Sequence, residues 1–428
     1  VENQSSVNLR PFLLQPSSYQ VWVQAIARSL YEAGHGSVRF FMPLIFVNQL
    51  GFSATVVGMA MGTGSLAGIV GHFLGGYLAD SPRYGRKQAL LLSALLSIVG
   101  TIILALIPNL PMLIVANWIM GFGSGCYWTA ADASVIDVTP KEQYQKAFAV
   151  LGLAASLGHG LGIVGGGILV SLVVEAQTLF LSCGLVLLMF LMLIQIASTD
   201  TRQDALENSD PLQGFGLAFK DRALQIFVLI NVLFTTYIAL VNSTLPLYFT
   251  NFISASIPQA TSKVESSLVS VANLFTWFYI GIGAVLQLPL VQILTSLLNL
   301  QVLMISMLLW GCGFFLVWAT HLVPSIPIVG MIAAFSVLSI TTAIYKPFAA
   351  AAIAELAPES LRGVYLALNH QCWSISYFIG PILGGWAMDQ SPMIAHNFWI
   401  STAVSTLLGL VMLYVLRKYQ DSSNPAHR

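Results

Sequence analysis

The chain has 428 residues, 57% of them hydrophobic and only 8% charged, and its 17 basic and 17 acidic side chains leave a formal net charge of zero. Soluble globular domains carry charge on about 25% of their residues. The composition therefore excludes a soluble enzyme and a disordered chain, and the neutral balance leaves no basic footprint for a phosphate backbone.

A membrane-crossing helix needs roughly 20 mostly apolar residues. Twelve segments qualify: 21–48, 53–79, 88–107, 110–136, 147–173, 178–197, 224–250, 266–293, 300–320, 323–351, 363–388 and 396–416. Backbone groups find no water in hydrocarbon, so these segments are predicted as helices. Barrel strands would be shorter and alternating. Residues 1–18 are polar and the first apolar run is too long for a leader's core, so no cleavable signal is expected. Basic residues set the orientation. With the N-terminus in the cytoplasm, that side holds Arg10, Arg83, Arg86, Lys87, Lys141, Lys146, Arg202, Lys220, Arg222, Arg362, Arg417, Lys418 and Arg428, and the other side only Lys263. Both termini are therefore predicted inside.

The first span carries Arg28, Glu32, His35 and Arg39 at spacings of 4, 3 and 4. On a regular helix these fall within about 60° of one face. A charge at mid-bilayer costs roughly 2.5–3.5 kcal/mol on insertion scales, so the stripe is predicted to line a central cavity, with Glu32 pairing to Arg28 or Arg39. A carboxylate contested by a proton, an arginine and a substrate is a simple device for coupling two fluxes. The plainer reading is an ion-pair ladder that anchors the span.

The second span runs into Gly75-Gly76-Tyr77-Leu78-Ala79-Asp80-Ser81-Pro82-Arg83-Tyr84-Gly85-Arg86-Lys87. The fourth contains Tyr127, Trp128 and Asp132, a second candidate titrating carboxylate, and ends in Asp137-Val-Thr-Pro140. His72, His159 and His370, in spans two, five and eleven, read as hydrogen-bonded packing residues, and Cys126, Cys183, Cys312 and Cys372 as small packing residues. Trp22 and Trp399 read as interfacial belt residues. The tenth span holds Lys346 between Tyr345 and Pro347, placed to pair with Asp132 or Glu32 across the cavity or to hold an anionic substrate group. Tyr127, Trp128, Tyr237, Trp277 and Trp373 join Lys346 as candidate substrate contacts.

The longest polar stretch, Ser198–Arg222, is predicted as a linker (198–222) between six-helix halves 1–197 and 223–428. The halves repeat. Asp137 and Glu355, Gly162 and Gly380, Gly166 and Gly384, and Gly167 and Gly385 all share one offset of 218 residues. Pro43–Asn48 matches Pro246–Asn251 at an offset of 203, and the difference fits an insertion near Asn251–Glu265. Two like-oriented repeats imply a pseudo-twofold axis along the membrane normal and a midplane site between them.

The Gly75–Lys87 run resembles the G-x-L-A-D-R-x-G-R-K loop between the second and third helices of the major facilitator superfamily, with Ser81-Pro82 inserted after the acidic residue. With twelve spans and a central linker, the resemblance covers nearly the whole chain. It implies an all-α membrane protein of twelve transmembrane helices in two pseudo-symmetric halves, and a cytoplasmic latch formed by Asp80, Arg83, Gly85, Arg86 and Lys87 with Asp137, Glu355 and Arg362. Span eleven has Gly380-Pro381-Ile382-Leu383-Gly384-Gly385, similar to a signature that drug/proton antiporters carry in span five, where this chain lacks the proline.

No P-loop, HExxH, CxxC or nucleophile elbow stands in a credible context, so an ATP-driven pump or an enzyme is not expected. The expectation is proton-coupled export of amphipathic compounds, resembling bacterial multidrug antiporters of the inner membrane. Glu32, Arg28, His35, Arg39 and Asp132 would handle protons. The alternatives are proton-coupled uptake of an anionic or zwitterionic solute, and an uncoupled sensor or scramblase. Expected partners are a small-molecule solute, protons and the bilayer, with no nucleic acid, cofactor or metal, and the chain is expected to act as a monomer.

Overall fold

The computed structural model describes residues 16–81, 83–106, 109–140, 143–172, 175–199, 220–253, 264–323, 325–358 and 362–423. Among these residues there are twelve long helical runs and no strand. The first half comprises α1 (Pro16–Tyr31, continued through Glu32–Gly36 and Ser37–Asn48), α2 (Ala54–Asp80), α3 (Gly85–Leu106), α4 (Leu110–Val138), α5 (Tyr144–Ser171) and α6 (Ala176–Ala197). The second comprises α7 (Arg222–Tyr248, continued through Phe249–Ile253), α8 (Val264–Leu274, Phe275–Gly281 and Ile282–Leu294), α9 (Asn299–Ala319), α10 (Pro327–Leu356), α11 (Arg362–Met388) and α12 (Pro392–Ser423). Most of the predicted linker, and residues 254–263 of the insertion expected near Asn251–Glu265, lie outside the described residues.

Helix starts follow the expected capping chemistry, in which a short polar side chain satisfies a free amide. Ser53 accepts from the Val56 N–H at 3.3 Å, Asn109 from Met112 at 3.0 Å, and Asp221 from Ala223 at 2.8 Å. Ten of the twelve helices are long and apolar enough to cross a membrane. The remaining two, α1 and α11, are interrupted by polar side chains within their spans: Arg28, Glu32, His35 and Arg39 on α1, and Asn369, His370, Gln371, Ser374 and Ser376 on α11.

Helices in lipid gain little from apolar burial against each other and associate by close packing through small residues. A Cβ at Gly121 of α4 would lie 1.9 Å from the Gly64 carbonyl oxygen of α2, so these two backbones touch directly. Glycines also seat α5 on α1, with Gly158 against Ser29 and Gly162 against Ala33. The second half repeats the arrangement, with Gly380 and Gly384 of α11 against Ala239 and Thr244 of α7.

The repeat also governs how the halves meet. Gly167 of α5 faces Ala272 of α8, and its partner Gly385 of α11 faces Ala54 of α2. Asn251 donates to Asn48 at 2.9 Å, so two repeat-equivalent side chains bond to each other across the pseudo-twofold axis. These contacts sit at the helix ends remote from the linker. On the linker side of these contacts α10 exposes Lys346 and Ala350, one turn apart. The glycine and asparagine contacts close the halves at the face opposite the linker.

Two packing expectations need correction. Trp399 is fully buried, its ring stacked on Phe314 at 5.8 Å, because α12 lies against α9 there; Trp22 is 40% exposed. Cys126, Cys183 and Cys372 are buried, whereas Cys312 is exposed.

Candidate functional site

Glu32–Gly36 winds as a π-helical turn within α1. Such a turn holds more residues than an α turn, so the 4-3-4 spacing does not stay in one stripe. The predicted single ladder separates into two groups.

The first group is internal to the N-terminal half. Arg28 Nη2 donates to Asp132 Oδ1 at 2.5 Å, and its guanidinium lies 4.9 Å over the Trp128 ring. Tyr31 stacks on Tyr127 at 3.6 Å and on His35 at 5.1 Å, and Phe190 closes the edge of the cluster. His35 Nδ1 is buried with no hydrogen-bond partner among the described residues.

The second group spans the seam between the halves. Glu32 pairs with Arg39, not Arg28: Arg39 Nη2 donates to Glu32 Oε2 at 2.9 Å, while Arg28 is taken by Asp132. The same Glu32 oxygen lies 3.4 Å from His159 Nδ1 on α5. Gly36 makes the room, since a Cβ there would lie 2.6 Å from that nitrogen. From the second half, Tyr377 of α11 brings its ring to 5.9 Å from the Arg39 guanidinium. One turn away, Trp373 lies 5.9 Å from Lys346 Nζ, and the two rings are near-parallel at 6.4 Å. Lys346 is within electrostatic reach of Glu32 and Arg39, but among the described residues it forms no ion pair.

The two halves use corresponding positions for different chemistry. Tyr31 on Tyr127 corresponds to Phe234 on Tyr345, which stack at 4.5 Å. Arg28 corresponds to Asn231, whose side chain bonds Tyr345 and donates to Asn369 at 2.7 Å. Trp128 corresponds to Lys346, and His159 to Tyr377. The charge is concentrated in the first half, and the second contributes one ammonium and a pair of aromatic faces. His159 and Tyr377 enter the site although neither stood among the candidate site residues; the 218-residue offset, applied to them, would have paired them.

Two expected substrate contacts lie elsewhere. Tyr237 packs on Trp310 and Phe314 and bonds Ser405 at 2.7 Å, inside the second half between α7, α9 and α12. Trp277 is 69% exposed on α8. The linker-face cluster is separate. Arg86 bridges Asp80, at the end of α2, and Asp137, at the end of α4, the latter at 3.1 Å. Lys87 donates to the Gln195 carbonyl at 2.8 Å, and Arg83 lies over the Tyr84 ring at 5.7 Å. Gly85 has φ of 76°, a left-handed conformation that suits glycine. Glu355 accepts from Asn299 at 2.6 Å. The Arg362 side chain lies outside the described residues.

At the opposite face Asp389, between α11 and α12, caps α2 across the seam. Ala54 N–H donates to its Oδ1 at 2.8 Å, and Ser53 Oγ and Thr55 N–H to its Oδ2, both at 2.7 Å.

Residues 25–256 and 248–428 each match the family model of the Major Facilitator Superfamily. The chain belongs to that superfamily. Relatives include a Na(+), Li(+), K(+)/H(+) antiporter of Planococcus maritimus, 23% identical over 424 residues with 89% of this chain and 91% of the relative covered. Another is the multidrug resistance protein MdtH of Aeromonas hydrophila, 25% identical over 401 residues with 92% and 94% covered. In fold, the superfamily member is similar to the crystal structure of the nucleoside transporter NupG, with a TM-score of 0.76, 13% identity, and 94% and 99% of the two chains covered. This is a membrane transporter of the major facilitator type.

Proposed function

We propose that this superfamily member moves a small organic solute by alternating access and exchanges it for protons through Glu32. The observation that carries the reading is the placement of Glu32: one carboxylate oxygen is shared between Arg39 on its own helix and His159 on α5, at the seam where the second half presents Lys346, Trp373 and Tyr377. A proton arriving on Glu32 neutralises the partner of Arg39 and frees a guanidinium that already borders Tyr377 of the other half. The 3.4 Å approach of His159 supplies a donor or acceptor for that proton. Protonation thus alters a contact between the halves, which is what coupling a proton to a rocking motion requires.

Export is the preferred direction, and the antiporter and the multidrug resistance protein among the relatives support it. Proton-coupled uptake is the second reading. What favours it is the balance of the two groups, in which Arg28, Arg39 and Lys346 outnumber Glu32 and Asp132.

The test uses purified protein in vesicles with a trapped pH indicator, challenged with cationic drugs, peptides, sugars and lysolipids. Solute-driven proton movement is expected in the wild type and not in Glu32→Gln. Movement of protons against the solute marks exchange, and movement with it marks uptake. Unchanged proton movement in Glu32→Gln would falsify the coupling role.

A further inference from the structure

We infer that the solute is an organic anion with a flat or apolar body, its acidic group held by Lys346 and Arg39 and its body laid against Trp373 and Tyr377. The inference rests on reading the seam between the halves as the transport site, and it deepens that reading by naming the charge the site accepts.

Charge accounting comes first. Asp132 neutralises Arg28 at 2.5 Å, and Glu32 neutralises Arg39 at 2.9 Å. Lys346 is left as a cation in the middle of α10, exposed, with no carboxylate within ion-pair distance among the described residues. An unpaired ammonium at membrane depth is costly and is characteristically retained for a pathway or a ligand. The Arg39 guanidinium is only partly satisfied, with Nε buried and without a partner among the described residues.

Geometry comes second. Each of these cations is within 6 Å of an aromatic face on α11, Lys346 by Trp373 and Arg39 by Tyr377, both at 5.9 Å. The two rings lie near-parallel at 6.4 Å on consecutive turns, and Lys346 is within electrostatic reach of both Arg39 and Glu32, so the two cations and the two rings border one region of the seam. An anion placed between ammonium and guanidinium makes charge-assisted hydrogen bonds to both, and an attached ring system finds apolar faces beside it. A cationic solute in the same place meets an ammonium with no counter-ion. A proton on Glu32 releases Arg39 for the anion, so protonation and anion binding reinforce each other, and for an anionic solute this linkage favours the second reading, in which proton and solute move together.

The experiment measures binding alone, with no gradient, so that it is independent of proton movement. Three radiolabelled probes share one ring and differ in charge: indole-3-acetate, indole-3-acetamide and tryptamine. The purified transporter is expected to bind the acid at least tenfold more tightly than the amide or the amine. Lys346→Gln is expected to reduce acid binding to the level of the amide, and Lys346→Arg to retain it, which separates lost charge from a failure to fold. Glu32→Gln, which frees Arg39, is expected to bind the acid more tightly than the wild type while losing proton movement in vesicles. Failure of coupling therefore leaves the binding result standing, and the reverse. Tryptamine binding as tight as that of the acid, acid binding unchanged in Lys346→Gln, or no retention of the acid at millimolar concentration overturns the inference.

Discussion

Arg28 and Arg39 stand on the same helix and make similar ion pairs, yet their settings give them different consequences. Arg28 is 7% exposed, takes Asp132 as its partner, and lies against Trp128 inside one half. Removing one member of such a buried pair leaves an uncompensated charge, at a cost of about 3–5 kcal/mol, whereas replacing both by apolar residues of similar volume is often neutral. Arg28→Ala is therefore expected to lower the thermal midpoint markedly, and Arg28→Met with Asp132→Leu to restore most of it. Arg39 is 30% exposed and borders the other half. Arg39→Ala is expected to lower the midpoint less than Arg28→Ala and to lose solute-driven proton movement in vesicles. Equal losses of stability in the two variants would contradict this division. The ionisable residues of α1 were legible in the sequence, because four charge-bearing groups in an apolar run stand out. Their grouping was not. It depends on the π turn at Glu32–Gly36, which leaves no mark in hydropathy, and on His159 and Asp132, which reach α1 from other helices.

Helix contacts have the same dual character. Gly121 packs within the first half, against the α2 backbone, and a Cβ would lie 1.9 Å from Gly64 O. Gly58 packs across the seam, where a Cβ would lie 2.0 Å from Pro381 O. Backbone atoms cannot yield as a flexible side chain can, so each Gly→Ala forces two helices apart. Gly121→Ala is expected to lower the thermal midpoint. Gly58→Ala is expected to spare it and instead to raise the labelling rate of cysteines placed in the closed face. Asp389 belongs to this level as well, because it joins the end of α11 to the start of α2, where the amide dipoles favour an anion. Burial pushes its pKa up, but hydrogen bonds from Thr55, Ser53 and Ala54 outweigh that and hold it below the ordinary carboxylate value of 3.8. A carboxylate lowered in this way stabilises the closed face fully above its ordinary pKa and loses that contribution as pH falls through the depressed value. Closed-face labelling is therefore expected to be flat from neutral pH down to about 4 and to rise only below it. Asp389→Asn is expected to raise it from neutral pH down to about 4 and to abolish the further rise below that. The sequence identified α2 and α11 and their glycines. The Asp389 cap remained hidden, since it joins residues far apart in sequence and has no counterpart in the other half to reveal it by repetition.

Across the whole molecule, contacts recur at the two repeat offsets as the helices do. The close packing of α5 on α1 and of α11 on α7 recurs where Gly162 and Gly166 recur as Gly380 and Gly384. Departures from the repeat mark the candidate site: Arg28 against Asn231, Glu32 against Thr235, Arg39 against Asn242, and Trp128 against Lys346. A symmetric scaffold allows either face to close by similar packing, and asymmetric side chains let a bound proton or solute choose between the two closures. Asn48 and Asn251 provide a direct test, because they are repeat partners that touch, 2.9 Å apart, where the halves are closed. With Cys312, the exposed native cysteine among the described residues, replaced by Ser, Asn48→Cys with Asn251→Cys is expected to cross-link readily by oxidation. Binding a probe from the linker face needs no movement at this end, whereas transport requires Asn48 and Asn251 to separate. The cross-linked protein should therefore bind indole-3-acetate as before but carry no solute-driven proton flux, and reduction should restore the flux. Undiminished flux in the cross-linked protein would show that these two residues can stay together throughout the cycle, and the rocking of one half against the other would have to be abandoned.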